Sequence, residues 1–229
     1  MKLVGDLVHG FHILAAAGLV VDGSTEKFFL NLARCAENGL RLRRLLVGRG
    51  EVPPPASDDV PLKAAVAAAD WGRAAAIVEH SAKQRDLAVQ EYEDEFLWAR
   101  VLQLLTVPGP DAAELDAALA RLEELDAASY GDRVAVARAI FAKDQEALEQ
   151  AVVGASQVYA LATEKKAAAF GTPVTKFAPH RHLWLEGLAL LRLGERVGPQ
   201  VRQQLRYCPR LARGENTTQY AGDYAIPVA

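Results

Sequence analysis

The stretch HRHLWLEGLALLRLGERVG, residues 180–198, decides the predicted fold. Its leucines occur on nearly every side of a helical wheel, and a helix that is apolar nearly all round is buried among other helices. The alternation typical of a strand appears nowhere along the chain, and isoleucine and aromatic residues are scarce beside alanine and leucine. The sequence therefore predicts an all-α protein with this helix at its centre.

Breaks in the helical periodicity predict a helical-hairpin stack or bundle of roughly eight to ten helices. AADWGRAAAIV (68–78) and AKDQEALEQAV (142–152) share one pattern, an Asp followed by small or apolar residues and a final Val. This echo gives the predicted bundle a tetratricopeptide-like local character. The predicted helix caps are Ser24, Asp70, Asp111 and Asp144. The predicted helices cover 24–44, 62–70, 72–82, 85–106, 111–128, 131–142, 145–170 and 183–197, with a last short helix between Pro199 and Pro209.

The N-terminal stretch MKLVGDLVHGFHILAAAGLVV, residues 1–21, predicts an amphipathic packing helix. It differs from a signal peptide because polar residues interrupt the apolar run and Lys2 alone supplies positive charge. We expect a cytoplasmic protein with no membrane partner, since no segment is judged long and apolar enough to span a bilayer. The expected buried face consists of Leu3, Val4, Leu7, Val8, Phe11 and Leu14, with Asp6, His9 and His12 turned away.

The chain is expected to form a single all-helical domain, residues 1–229. GRGEVPPPASDDVP (48–61) has three consecutive prolines, which cannot lie inside a helix, and it marks a sub-boundary after an N-terminal helical pair. GENTTQYAGDYAIPVA (214–229) shows no hydrophobic period and is expected to be a flexible tail. Cys35 and Cys208 are expected to be reduced thiols, with a single disulfide as the alternative.

Two histidines and a glutamate within residues 180–198 raise the question of a metal site. A zinc-protease helix carries its histidines four residues apart on one face, whereas His180 and His182 are two residues apart and point to opposite sides. We therefore expect no metal ligands here and no cofactor. Glu186 falls among leucines, so its carboxylate needs a bond from His182 or an arginine from another helix. A buried general acid or base is the alternative.

Motifs of the common enzyme classes are missing from the sequence. It contains no P-loop, no dinucleotide-binding glycine fingerprint, no nucleophile elbow and no paired-cysteine metal motif. The sequence therefore predicts a protein that is not an enzyme and has no catalytic residues.

Acidic residues are concentrated in the middle of the chain. Residues 85–126 hold eleven acids and three arginines, a local net charge of −8 in a chain whose total is −3. Such a region is typical of solvated helix faces, and the sharper hypothesis is an acidic docking face for a basic partner protein, with EYEDEF (91–96) as its densest part. The candidate partner-binding residues are Glu91, Glu93, Asp94 and Glu95.

Arginines dominate a second region near the C-terminus. Residues 192–213 hold six arginines and one glutamate, so pairing of this run with residues 85–126 inside the molecule is an alternative to a docking face. The run is interrupted by prolines and the chain is acidic overall, which argues against nucleic acid as a partner.

The C-terminal part of the chain carries a characteristic order of segments. DRVAVARAIFAKDQEALEQAV (132–152) begins it, a long helix to Phe170 follows, and then come residues 180–198 and LRYCPRLAR (205–213). This order is similar to that of the immunity protein 49 family, in which a segment ending in Tyr-x-Pro-x-Leu closes the helical part. The chain departs from the family pattern in an Arg-Val-Gly ending, where Arg-Arg-Gly is usual, and in a longer polar tail. The matching residues are Tyr207, Pro209 and Leu211.

The resemblance implies a binding protein without catalytic residues. Members of the family are all-helical antidotes encoded beside bacterial polymorphic toxins. We expect a cytoplasmic immunity protein that occludes the active site of a basic cognate toxin, a nuclease or another effector that acts in the cytoplasm. A helical-repeat scaffold that binds a regulatory peptide in a concave groove is the second hypothesis, and a metal-dependent helical enzyme is the third.

Overall fold

The computed structural model describes residues 2–88, 90–169, 171 and 174–227. These residues form nine α-helices and one 3₁₀-helix, with no strand among them. The predicted all-α class and the bundle of eight to ten helices are confirmed. The helices are α1 Lys2–Val20, α2 Thr25–Gly48, α3 Val60–Ala67, α4 Trp71–Glu79, α5 Glu93–Thr106, α6 Ala112–Ala142, α7 Gln145–Ala168, α8 Val174–His182 and α9 Leu185–Val197, and the 3₁₀-helix is Arg210–Arg213.

Side-chain caps start four of the helices where the sequence predicts them. In each case a side-chain oxygen accepts a bond from a main-chain N–H of the first turn, which otherwise has no partner within the helix. The bonds run from Lys27 N to Ser24 Oγ at 3.1 Å, from Arg73 N to Asp70 Oδ1 at 3.0 Å, from Ala113 N to Asp111 Oδ1 at 2.9 Å and from Ala147 N to Asp144 Oδ1 at 3.0 Å.

Most helix boundaries differ from the sequence prediction by a few residues, and the start of α5 differs most. The helix predicted over 85–106 begins only at Glu93. The carboxylate of Asp86 accepts a bond at 2.9 Å from the main chain two residues later, and such local bonds compete with helix formation. The helix predicted to end at Phe170 ends at Ala168, and Phe170 itself lies outside the described residues.

The short helix predicted between Pro199 and Pro209 is wrong. The chain there is irregular, and the 3₁₀-helix follows Pro209 instead of preceding it. Trp184 N, at the start of α9, donates to Tyr207 O at 2.8 Å. This segment therefore supplies a main-chain carbonyl to the start of α9, which has no side-chain cap.

Residues 180–198 form parts of two helices, where the sequence predicts one. The last turn of α8 ends at His182, and α9 begins at Leu185 after a turn at Leu183 and Trp184. Tyr159 of α7 holds this turn, since its hydroxyl lies 2.5 Å from His180 O and 3.3 Å from Leu183 O and can donate to either oxygen.

Helix α6 is bent back on itself at Asp126, whose φ of −159° and ψ of 79° are not helical. The bend lies close to the predicted break between residues 128 and 131. Because the two halves lie side by side, Arg138 on the second half reaches Asp116 at 3.7 Å and Glu123 at 3.0 Å on the first half.

Helix α9 is buried at the centre of the fold, as the sequence predicts. One contiguous cluster of buried apolar side chains extends from Val8 on α1 to Ala212 in the 3₁₀-helix. Packing continues across the predicted sub-boundary at 48–61, because Gly39 of α2 lies so close to Pro61 of α3 that a Cβ there would overlap the proline ring. The α9 side chains in this core include Leu188, Ala189, Leu190, Leu191 and Leu193.

The predicted buried face of α1 is confirmed at Val8 and Phe11 but wrong at Leu3, Leu14 and His12, because the helix is rotated about its axis. Leu3 and Leu14 are 82% and 52% exposed, whereas His12, expected to face away, is completely buried. A helical wheel fixes the angles between residues but does not tell which of two adjoining faces meets the core. Leu3–Val20 also has the length and mean hydropathy, 1.6, of a membrane span, contrary to the sequence expectation, although its buried side packs within the bundle. The buried residues of α1 are Val8, Phe11, His12, Ala15, Ala16, Gly18 and Leu19.

The C-terminal segment 214–227 has no helix and lies along α2. Asn38 of α2 donates to Tyr224 O at 3.1 Å and accepts from Ile226 N at 2.8 Å. Arg41 donates to Ile226 O at 2.9 Å. Side chains of α2 thus satisfy main-chain groups of this segment that have no regular structure to bond them.

Candidate functional site

Glu186 lies at the centre of a buried ionic cluster. Its Oε2 accepts bonds from Trp98 Nε1 and Lys63 Nζ, both at 3.0 Å, and its Oε1 accepts from Arg133 Nε at 2.7 Å. The predicted arginine from another helix is confirmed, whereas His182 is exposed and supplies none of these bonds. The cluster joins α3, α5 and α6 to α9, and it therefore fixes the relative positions of four helices.

The charges around Glu186 favour its ionised form. Burial alone would raise the pKa of the Glu186 carboxyl, but Lys63 and Arg133 outweigh burial and hold that pKa at about 2. Lys63 also bonds Asp59 at 2.9 Å. Burial raises the pKa of Asp59, and the charge of Lys63 offsets that effect of burial only in part. A carboxyl with three donors and a pKa this low lacks the raised pKa that a general acid needs near neutral pH. The geometry thus favours the structural alternative for Glu186.

Lys63, Trp98 and Arg133 are the partners that sequence reasoning missed. One signal was present, because Lys63 is the single charged residue of the otherwise apolar helix VPLKAAVA. Such a lysine needs a buried counter-ion. Trp98 and Arg133 have no comparable local signal, since each lies on a helix with several other polar residues.

Two open clefts share Arg133 in their walls. The acidic cleft, about 460 Å³ in volume, lies between the loop that precedes α3 and the helices α5, α6 and α9, with Asp58 and Glu95 exposed at its edge. The aromatic cleft, about 550 Å³, lies between α6, α7 and α8 and includes Tyr159 and Trp184. Both volumes are in the range of small-ligand sites.

Glu91 does not lie on the predicted docking face. Its carboxylate is buried and accepts bonds from Ser57 N at 2.8 Å and Asp86 N at 2.9 Å. A carboxylate on two main-chain donors stabilises the two loops that it joins. We therefore correct the sequence prediction and assign Glu91 a structural position.

The other three predicted residues lie around the first turn of α5. Glu93 pairs with Arg121 at 2.8 Å and with Arg85 at 3.5 Å, and the bond from Arg121 lowers the pKa of Glu93. Asp94 accepts a bond from the Tyr130 hydroxyl at 3.0 Å. Glu95 is exposed and has no ion pair within the described ranges. Of the predicted face, only Glu95 remains fully available to a partner.

Helix α5 and the first half of α6 present what we call the acidic surface. Arg121 is shared between Glu93 and Glu124, and Arg138 between Asp116 and Glu123, while Arg100 pairs with Glu114. The carboxylates still outnumber the arginines that reach them, because two of these arginines are each shared and Glu95 has no ion pair with a described residue. The acidic surface consists of the exposed residues Glu95, Glu114, Asp116, Glu123 and Glu124.

The arginines of residues 192–213 do not neutralise the acidic surface. In the part of the chain that the structure describes, no ion pair joins them to residues 85–126. The alternative of pairing between the two regions is therefore wrong. Their partners are Glu195 for Arg192 and Arg213, Glu164 for Arg206, and the main-chain oxygens of Ala67, Thr106 and Val201 for Arg192, Arg196 and Arg213.

Three histidines meet where α1 packs against α8. The ring of His12 is 5.1 Å from that of His180 and 6.3 Å from that of His9, measured between centroids. Neither ring nitrogen of the buried His12 has a hydrogen-bond partner among the residues that the structure describes. Burial, together with His180, lowers the pKa of His12 to about 3, and burial lowers the pKa of His180 to about 4. Within the described ranges no group of three or more His, Cys, Asp or Glu side chains is arranged to hold a metal ion.

Cys35 and Cys208 are free thiols inside the core. Burial raises the pKa of both, that of Cys208 to about 12. A thiol that stays protonated and buried is a poor nucleophile and metal ligand.

No family model, curated protein or solved structure matches the chain. The resemblance to the immunity protein 49 family therefore stays a prediction. The features that bear on function are the acidic surface and the two clefts that Arg133 lines.

Proposed function

We propose that this protein is an immunity protein that binds a basic bacterial toxin in the cytoplasm and occludes its active site. The observation that carries the proposal is the acidic surface, whose carboxylates exceed the arginines that reach them. The arginine-rich residues 192–213 bond elsewhere and leave this surface negative. The order of the C-terminal segments, which resembles that of the immunity protein 49 family, supports the same assignment.

The acidic surface suits a partner whose active-site cleft is positively charged, such as an enzyme that acts on nucleic acid. Opposite charges steer two proteins together and raise association rates by about ten- to a thousand-fold. Arg121 and Arg138 are both exposed, and exposed ion pairs are weak. Cations of a partner can therefore displace them from the carboxylates that they share.

The helices that carry the acidic surface are packed firmly against the core. Trp98 on α5 and Leu115, Leu119 and Leu122 on α6 are buried in the core. A surface on packed helices loses little conformational entropy on binding, which favours affinity.

Co-expression with a toxin tests the proposal in cells. The product of the gene adjacent to this one is expressed in a bacterial host, and growth is measured with and without this chain. We expect the chain to restore growth, and we expect the triple variant Glu95→Lys, Asp116→Lys, Glu124→Lys to restore it poorly, because the variant reverses the charge that attracts the toxin.

A second triple variant controls for the change in net charge. Glu26→Lys, Glu79→Lys and Glu146→Lys make the same charge change at exposed positions on α2, α4 and α7. This variant is expected to protect like the wild-type chain. Equal protection by both triple variants would show that the acidic surface does not bind the toxin. The absence of protection by the wild-type chain would contradict the immunity function itself.

A further inference from the structure

The aromatic cleft has the size and the mixed lining of a small-molecule site. Its volume is about 550 Å³, and its walls come from α6, α7, α8 and the turn before α9. Sites of this kind combine apolar walls with a few fixed polar groups. One face of α7 supplies much of the wall, because its lining residues recur every three or four positions. They are Ala155, Val158, Tyr159, Ala162, Thr163 and Lys166.

The aromatic part of the wall is held in place by bonds and ring contacts. Tyr159 stacks on Trp184 with 5.1 Å between ring centroids and 21° between ring planes. The Tyr159 hydroxyl donates to His180 O at 2.5 Å. A fixed ring of this kind offers a flat surface at little entropic cost to a ligand.

Arg133 is the polar group most suited to recognise a ligand in this cleft. Its Nε is engaged by Glu186, and its guanidinium carbon lies 5.7 Å from the Trp98 ring and 5.2 Å from the Tyr130 ring, measured to the centroids. These contacts fix the guanidinium plane, while its two terminal nitrogens make no bond to any described residue. A guanidinium held in this way presents paired donors to a carboxylate.

The remaining charged groups of the cleft allow an anion beside Arg133. Lys166 lies on the same wall, on α7. Asp132 is the carboxylate of the lining, but it packs against α7, where its Oδ1 is 3.1 Å from the position that a Cβ of Gly154 would take. One oxygen of Asp132 therefore lies at the contact between α6 and α7.

We infer that the aromatic cleft binds a small organic acid with a flat apolar body, a function that goes beyond toxin binding. The carboxylate of the ligand bonds the terminal nitrogens of Arg133, with Lys166 adding positive charge. The ring of the ligand lies against the apolar wall formed by Val158, Tyr159 and Phe177.

A pair of probes tests the inference on the purified full-length chain. Naphthalene-1-acetate and naphthalene-1-acetamide have the same ring and differ in charge. Titration calorimetry is expected to show binding of the acid, with the amide bound at least about tenfold more weakly, because the amide cannot make the charge-assisted bonds. Equal affinity for both probes, or no binding of the acid at millimolar concentration, would overturn the inference.

Variants place the binding in the aromatic cleft. Ala162→Trp fills the cleft from an exposed position, and Lys166→Gln removes a charge from its wall. Both are expected to weaken binding of naphthalene-1-acetate, while Lys165→Gln, the neighbouring exposed lysine outside the lining, is expected to leave it unchanged. Circular dichroism checks that each variant is folded. Affinity that is unchanged in folded Ala162→Trp, or reduced equally by both lysine variants, would contradict the assigned site.

Discussion

At the scale of single residues, the fold depends on buried polar side chains whose partners come from distant parts of the chain. Glu186 takes donors from three other helices. Arg43 is buried as well, and it donates to Gly39 O at 3.2 Å and to Asp58 O. Removing one member of such a group leaves the others desolvated without a counter-charge, which costs far more than the group contributes in net stability.

Replacing Glu186 with Gln is expected to lower the free energy of unfolding by about 3–5 kcal/mol, because Lys63 and Arg133 then lose their buried counter-ion. Urea unfolding at pH 7 measures the change. Glu124→Gln, an exposed carboxylate in an ion pair, serves as the control and is expected to change stability little. Similar values for the two variants would show that the Glu186 cluster does not hold the helices together.

The pH dependence of stability provides a separate test of Glu186. Its pKa is about 2 in the folded protein and 4.5 as the reference value. The ionised group therefore contributes its full stability above pH 4.5 and loses it as the pH falls towards 2, by about 1.4 kcal/mol per pH unit. Glu186→Gln is expected to lack this part of the acid destabilisation.

His12 is also expected to destabilise the protein in acid, in this case because protonation would place a positive charge in the core. Its folded pKa of about 3 lies below the reference value of 6.5, so the unfolded chain binds the proton first as the pH falls. His9, His180 and Lys63 surround it and oppose a further positive charge. The free energy of unfolding should fall below pH 6.5 by about 1.4 kcal/mol per pH unit through His12, and His180, whose pKa is lowered to about 4, contributes in the same direction. His12→Phe should lose much of this dependence, measured by urea unfolding from pH 7 to pH 4.

The exposed histidine His182 gives the matched control, because it lies at the surface whereas His12 is buried. His182→Asn should retain the wild-type pH dependence. An identical pH dependence in His12→Phe would show that His12 does not carry the effect.

The sequence was sufficient to predict that Glu186 needs a partner, because a carboxylate among leucines is costly without one. It was not sufficient to identify Lys63 and Trp98, since these residues meet Glu186 only through tertiary packing. For the same reason Glu91 was placed on the docking face. In the sequence Glu91 looks like any solvated acid, and its burial depends on loops from two parts of the chain.

At the scale of helices, local sequence predicts where helices start better than how they pack. The caps at Ser24, Asp70 and Asp144 depend on residues three positions apart and were correctly predicted. The break between α8 and α9 was missed, because it depends on a bond from Tyr159 on another helix. The rotation of α1 was missed because both of its sides carry apolar residues.

Packing between α2 and α3 gives a test at this scale. Gly39→Ala is expected to lower the free energy of unfolding by about 1–3 kcal/mol, because the added Cβ overlaps Pro61. Alanine has the better helix propensity, so any loss must come from packing. Gly10→Ala on α1 is the control, since nothing lies within 4 Å of its Cβ position, and it should stabilise by about 0.5–1 kcal/mol. Thermal unfolding of both variants measures these changes, and stabilisation by Gly39→Ala would contradict the described contact.

At the scale of the whole molecule, charge is divided between separate surfaces. The carboxylates of α5 and α6 face outward, and the arginines of residues 192–213 bond main-chain oxygens, Glu195 and Glu164. Composition alone predicts both charge regions, but it leaves open whether they neutralise each other. Tertiary structure decides that question, because the ion pairs of the arginines in residues 192–213 are with Glu195 and Glu164, outside residues 85–126.

Direct binding between this chain and the product of the adjacent gene tests the central claim. Biolayer interferometry with the purified proteins measures association and dissociation at low and high salt. We expect a specific complex whose association rate falls with salt, and whose affinity falls at least about tenfold in the triple variant Glu95→Lys, Asp116→Lys, Glu124→Lys. The control triple variant on α2, α4 and α7 should bind like the wild-type chain. The absence of a complex, or affinity and salt dependence that are the same in both triple variants, would contradict the account.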